Sequence, residues 1–211
     1  MYKTFYRDGT DEFIEKKSKF IGYGFRVKSE EEAVKKIEEI KKIHRDATHN
    51  CSAYIIGENK LIQRYNDDGE PSGTAGIPML EVLKKEDVTN VLVMVTRYFG
   101  GILLGAGGLV RAYTKGAKIA VDSSLVVEMR EYEKLSLKYD YTFHGGITNY
   151  LIKNGYKVLN EDYTDKVKII LHRDLNDNKI IEDLINETSA AIEIKKLGIE
   201  KLPFNDGKIL Y

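Results

Sequence analysis

The stretch Val91-Leu92-Val93-Met94-Val95-Thr96-Arg97-Tyr98-Phe99-Gly100-Gly101, followed closely by Gly105-Ala106-Gly107-Gly108-Leu109, decides the fold of this chain. Val91 to Thr96 is an apolar, β-branched run of the length and composition of a buried strand. It ends in an arginine and a glycine turn. From Leu109 to Val121 the apolar residues Leu109, Ala112, Tyr113, Ala117, Ala120 and Val121 recur at helical spacing, so a helix follows the loop. Arg111, Lys115 and Lys118 stand at i, i+4 and i+7 on another face of that helix, and no Asp or Glu occurs from Val88 to Val121. A strand-end arginine, a glycine loop feeding a helix N-terminus and a basic stripe together form an anion-binding surface. The candidates for it are Arg97, Tyr98, Gly100, Gly101, Gly107, Gly108, Arg111, Lys115 and Lys118. Half of the glycines, 9 of 18, fall between Gly69 and Gly116, so the rest of its domain is expected to pack around this strand, loop and helix.

Working outward, 211 residues are comfortable for two domains. The 42% hydrophobic content is that of a globular protein, and no run of about 18 apolar residues is present. With no signal-peptide core near Met1, the expected location is the cytoplasm. The single cysteine, Cys51, rules out an internal disulfide. Thirty-three basic residues balance 33 acidic ones, so the chain as a whole has no long-range attraction for nucleic acid and shows no DNA preference. Any polyanion site must be local.

Phe13 to Val27 reads as one or two strands interrupted at Lys16-Lys17-Ser18-Lys19, a solvated turn or strand edge. Ser29 to Glu32 is a capping box that opens a helix ending near His44. Cys51 to Gly57 and Leu61 to Tyr65 form a hairpin. The loop Asp67-Asp68-Gly69-Glu70-Pro71-Ser72-Gly73-Thr74-Ala75-Gly76 precedes a short helix, Ile77 to Lys84, with Pro78 in its first turn. Leu125 to Arg130 makes a further strand, and the charged run Arg130 to Lys134 marks a linker between domains at 1–133 and 134–211. The remainder runs strand Leu135 to Tyr141, helix Gly146 to Asn154, strands Tyr156 to Tyr163 and Val167 to Arg173, helix Asn178 to Glu187, strand Ala191 to Leu197. That order, βαββαβ, is ferredoxin-like. The fold class is therefore α+β in two domains.

Most familiar chemistries fail on spacing. Gly105 to Val110 lacks the third small residue of a dinucleotide fingerprint, and no Gly-Lys-Ser/Thr ends a P-loop. Ser72 is off by one from a nucleophile elbow. His44, His49 and Cys51 match no zinc pattern, and Asp67, Asp68 and Glu70 lack the later residues of a calcium loop. No metal, cofactor or catalytic set is expected; Cys51 is expected in the core, and His144 and His172 as structural or exposed. The glycines serve equally for phosphate binding or for close packing of helix on strand, and the sequence does not separate these.

Four blocks carry a family resemblance: Lys17 to Ile21, His44 to Cys51, Asp67 to Gly76 (with Asp67, Asp68, Gly69, Glu70, Ser72, Gly73 and Thr74 as the signature loop) and Val95 to Tyr113. They resemble the YigZ/Impact family over the whole chain. The chain departs from the family pattern at Asn50 and Ser52, where histidine and tryptophan are usual. The resemblance implies an N-terminal domain sharing its fold with a ribosomal-protein domain and elongation factor G domain IV, and a C-terminal domain like elongation factor G domain V. Eukaryotic members resemble translational-stress regulators that compete for a scaffold protein. The resemblance carries over no catalytic residue. The functional expectation is a translation-associated binding protein that touches RNA, the ribosome or a translation-factor partner; the alternative is an enzyme binding a nucleotide or phospho-ligand at the glycine loop.

Overall fold

The computed structural model describes residues Met1–Tyr211, which form two compact units, Met1–Met129 and Arg130–Tyr211. Both mix helices and strands, with two sheets and five α-helices in all, as the α+β reading expects.

The first unit contains β1 (Tyr2–Phe5), β2 (Gly9–Glu15), β3 (Ser18–Arg26), α1 (Glu30–Ile43), β4 (His49–Ile56), β5 (Ile62–Asn66), α2 (Gly76–Lys85), β6 (Val91–Tyr98) and α3 (Ala106–Ser124). Its antiparallel sheet has the order β2-β3-β6-β4-β5, so the run that opened the sequence reading is the central strand. Val91, Val93 and Val95 join the core beneath α2 and α3, whereas Leu92 and Met94 join a second cluster with Ala33 and Ile40 of α1. Covered on both faces, β6 has no reason to alternate with polar residues until Thr96.

Local chemistry fixes the connections. Lys16 and Lys17 form the β2–β3 turn at φ 45° and 66°, between the paired Glu15 and Ser18. Ser29 Oγ accepts from the Glu32 N–H at 3.2 Å, and the Lys28 N–H donates to Glu32 Oε2 at 2.7 Å, holding the start of α1. α3 lies close on the sheet. A Cβ at Gly22 would strike the Gly116 carbonyl, and one at Gly116 would come within 2.8 Å of Val95.

β7 (Val126–Tyr139) pairs with β1 through Val126–Met129 and, from Tyr132 onward, with β9. The second unit continues with α4 (His144–Lys153), β8 (Val158–Tyr163), β9 (Val167–Asp174), α5 (Lys179–Glu187), β10 (Ile192–Asn205) and β11 (Lys208–Ile209). The sheet order β11-β10-β7-β9-β8 places the first strand of the βαββαβ unit between the fourth and the third, the ferredoxin-like arrangement. Leu135, Leu137, Val167, Ile169 and Leu171 pack against Ile147, Leu151, Ile180 and Leu184 of the two helices.

Two readings change. The charged run Arg130–Lys134 is strand, not linker, because Glu133 turns inward to a buried partner, Arg173, at 2.6 Å. β10 continues past Leu197 to Asn205 and turns back as β11. Most of its residues are exposed or half-buried, so its apolar signal is weak. His172 is buried with Nε2 3.0 Å from Glu200.

Candidate functional site

The acidic loop between β5 and α2 turns its carboxylates inward. Asp67 accepts the backbone N–H groups of Gly73, Ala75 and Gly76 at 2.9, 3.1 and 2.7 Å. Because Ala75, the N-cap of α2, has no side-chain oxygen, Asp67 caps that helix from upstream and sets a negative charge at its positive end. Asp68, at φ 46°, accepts the Asn50 N–H at 2.7 Å and pairs with Lys41. One oxygen of Glu70 takes both the Arg97 guanidinium and the Tyr113 hydroxyl, each at 2.7 Å. Its other oxygen lies 3.8 Å from His49 Nε2. Gly69 and Gly73 supply φ of 87° and 77°, and the Thr74 hydroxyl donates to the Pro71 carbonyl at 2.7 Å. Ser72 is exposed. The signature loop is a brace between β4, α2, β6 and α3.

Cys51 sits inside this brace, its thiol donating to the Asp67 carbonyl at 3.0 Å. Burial pushes the thiol far above its usual range; the Tyr113 hydrogen bond opposes that, and Glu70, Asp68 and Asp67 add to it. A thiol so held is a core group, as its sequence context suggests. Asn50 and Ser52 are buried as well, Asn50 accepting from the Thr96 hydroxyl at 2.7 Å and donating to the His44 carbonyl at 3.2 Å. No group of three or more His, Cys, Asp or Glu is placed to hold a metal ion.

Three of the candidate anion ligands are committed elsewhere. Arg97 is 5% exposed and its charge meets Glu70 inside the fold, so it does not present a cation to solvent. Tyr98, one residue on, lies 2.8 Å from His44 Nδ1 and donates to Asp46 at 3.3 Å. Lys118 pairs with Glu86 at 3.0 Å and Asp122 at 2.7 Å. The sequence window free of acids is real. Glu70 and Glu86 reach it only across the fold, and the i+4 neighbour Asp122 lies just past its end.

The others stay together at the start of α3. Gly105, the N-cap, stands at φ 71° with no side-chain cap, and the first turn holds no acid. Helix geometry leaves its first amides without intrahelical partners. Arg111 and Lys115, exposed on α3, line a cleft of about 190 Å³ together with Gly108, Leu104, Lys16 and Glu15. No ion pair or hydrogen bond engages Arg111, Lys16 or Lys17, and the Lys115 ammonium lies 4.3 Å over the Phe13 ring. Gly100 fits against the β2–β3 turn so tightly that a Cβ would fall inside the Lys17 carbonyl, and Gly101 turns at φ 84°. That contact brings Lys16 and Lys17 beside the glycine loop. Sequence reasoning treated these lysines as a solvated turn; only the Gly100 requirement hinted that another backbone lay against it.

Ligand pockets for drug-sized molecules run from roughly 300 Å³ upward, so a 190 Å³ cleft suits a single anionic group better than a whole nucleotide. No helix is long and apolar enough to cross a membrane.

Comparison with known proteins accords with these features. Residues 16–121 match the Impact N-terminal domain, and residues 137–190 match a domain of unknown function, DUF1949. The Bacillus subtilis IMPACT family member YvyE is 43% identical over 92% of this chain and 90% of its own length. The Escherichia coli IMPACT family member YigZ is 37% identical over 70% of this chain and 74% of its own. A crystal structure of a hypothetical protein superposes with a TM-score of 0.59 at 29% identity, covering 93% of this chain and 97% of that one. With both domain matches in order and this identity over nearly its whole length, the chain belongs to the IMPACT family.

Proposed function

We propose that this protein is a translation-associated binding protein that holds a phosphate-rich partner, RNA or the ribosome, at the start of α3. The observation that carries the reading is the convergence of Lys16, Arg111 and Lys115 on one small cleft beside uncapped helix amides. Family membership supplies the link to translation, through the regulatory role that the resemblance implies for eukaryotic members. The enzyme alternative gains nothing from the acidic loop, since Asp67, Asp68 and Glu70 each already hold a partner.

Co-sedimentation of the full chain with ribosomes across about 50 to 200 mM salt tests the site. Four phosphate contacts, one each for Lys16, Lys17, Arg111 and Lys115, give a log–log slope of about −2.8 on single strands. R111E/K115E removes two contacts, so the slope falls to about −1.4 and affinity drops at every salt concentration. Equal binding by wild type and double variant refutes the site.

A further inference from the structure

The cleft explains an anion, but not the ring beside it. Phe99 is 45% exposed at the end of β6, and the Arg97 guanidinium lies 5.5 Å from its centroid. That guanidinium also lies 5.6 Å from the Phe20 centroid and is fixed by Glu70 at 2.7 Å. Phe20 in turn stacks on Phe13 with centroids 5.1 Å apart. The Phe99 backbone is tied down too, its N–H donating to Thr48 Oγ1 at 2.9 Å. An aromatic ring at a solvent face is thus backed by a buried, neutralised cation rather than by loose side chains. Phe13 offers no such face, because Phe20 stacks on it and Lys115 lies over it.

From these positions we infer that Phe99 is a stacking platform for an unpaired RNA base, with the neighbouring phosphates held by Lys16, Lys17, Arg111 and Lys115. The inference rests on the proposed phosphate site and deepens it by selecting single-stranded over duplex RNA. A base has a π-face whatever its identity, so a lone ring among cations gives affinity for unpaired strands without a sequence code. In a duplex both faces of each base are stacked, and the ring has nothing to receive. Charge complementarity favours RNA as the occupant over an apolar protein segment. The Lys16-Lys17 turn adjoins Gly100, the next residue after Phe99.

Fluorescence anisotropy of the full chain with a labelled uridine homopolymer of about 20 nucleotides, and with a duplex RNA of equal length, tests this over about 50 to 200 mM salt. Wild type is expected to bind the single strand more tightly than the duplex. Phe99→Ala should weaken single-strand binding roughly 5- to 150-fold, leave duplex binding and the salt slope unchanged, and Phe99→Tyr should restore affinity. A thermal melt of Phe99→Ala superposing on wild type assigns the loss to the ring rather than to unfolding. Should Phe99→Ala bind the single strand as wild type does while R111E/K115E weakens it, the platform is overturned and the phosphate site stands. If wild type binds neither RNA, both readings fall and the face belongs to a protein partner.

Discussion

Replacing Glu70 by alanine probes the reasoning most severely, because the same carboxylate holds the fold and steadies the proposed site. Its side chain is 2% exposed and that of Arg97 6%, and a single Glu70 oxygen receives both Arg97 and Tyr113. Truncation strands a guanidinium in the interior. Arg97 has no second acceptor to turn to, since its Nε is already buried without a partner. Breaking one side of a buried ion pair costs about 3–5 kcal/mol, and an orphaned buried hydroxyl adds up to a few more, not additively. A central value of about 4 kcal/mol, divided by a urea dependence of about 2 kcal/mol/M, lowers the urea midpoint of the first unit by about 2 M.

Urea unfolding of the full chain, with amide exchange at β6 assigning the transition to the first unit, gives the measurement. Glu70→Gln keeps an acceptor oxygen while losing the charge, and should fall between wild type and alanine. The double variant E70A/R97M removes the stranded cation, and should recover more than half of the loss. Were E70A within about 1 kcal/mol of wild type, or E70A/R97M weaker than E70A, the ion pair would be a bystander and the brace argument would fail.

Four further expectations follow from other parts of the structure. Cys51, buried with its thiol pushed far upward, should resist a disulfide exchange reagent in the native protein at pH 8 and react fully in denaturant; fast native labelling would contradict its placement. Gly101→Val, at φ 84°, should cost roughly 1–3 kcal/mol by thermal melting, and Gly108→Val a comparable amount because its Cβ would come 2.9 Å from that of Leu104. Burial raises the Glu133 carboxyl, but Arg173 and Lys196 outweigh it and leave the group below its usual value near 4.5. Its contribution is therefore complete above pH 4.5 and lost as pH falls through the lowered native value, a dependence that pH-resolved melts of E133Q should lack. Expression of Arg130–Tyr211 should give a sharper and higher melt than Leu135–Tyr211, which lacks Glu133 and leaves Arg173 buried alone; identical melts would show that the pair does not matter to that unit.

The parts of the fold legible in the sequence are those whose partners lie close along the chain. The Ser29 cap, the two-lysine turn and the stripe Ile180–Leu184 each depend on residues within a turn or two, and each appears as expected. β6 was legible because burial on both faces leaves an apolar run that no polar alternation interrupts. β10 was cut short because its exposed positions outnumber its buried ones, so its strand character comes from pairing rather than from composition. Arg130–Lys134 failed differently. Charge density there resembles a linker, but Glu133 is a buried ion-pair partner, and only the position of Arg173 on β9 reveals it.

The same limit governs the site. An arginine at the end of a buried strand must face a cleft or meet a carboxylate, and sequence separation gives no way to choose. Glu70 lies 27 residues before Arg97, and their pairing turns what looks like an exposed anion ligand into an internal support. That conversion strengthens the functional reading of the loop that follows. A guanidinium free in solvent would be one more phosphate contact, replaceable by any lysine on the same face. Fixed under Phe99, it instead gives the aromatic ring one orientation, which a stacking surface needs before a base arrives. The glycines act alongside it: Gly100 lets the lysine turn approach, Gly101 bends the chain away, and Gly105 opens the helix with its amides uncapped. Phosphate binding and close packing, which the sequence left as alternatives for these glycines, are on this arrangement a single requirement. The backbone must pack tightly to bring four cations and one ring to the same small face.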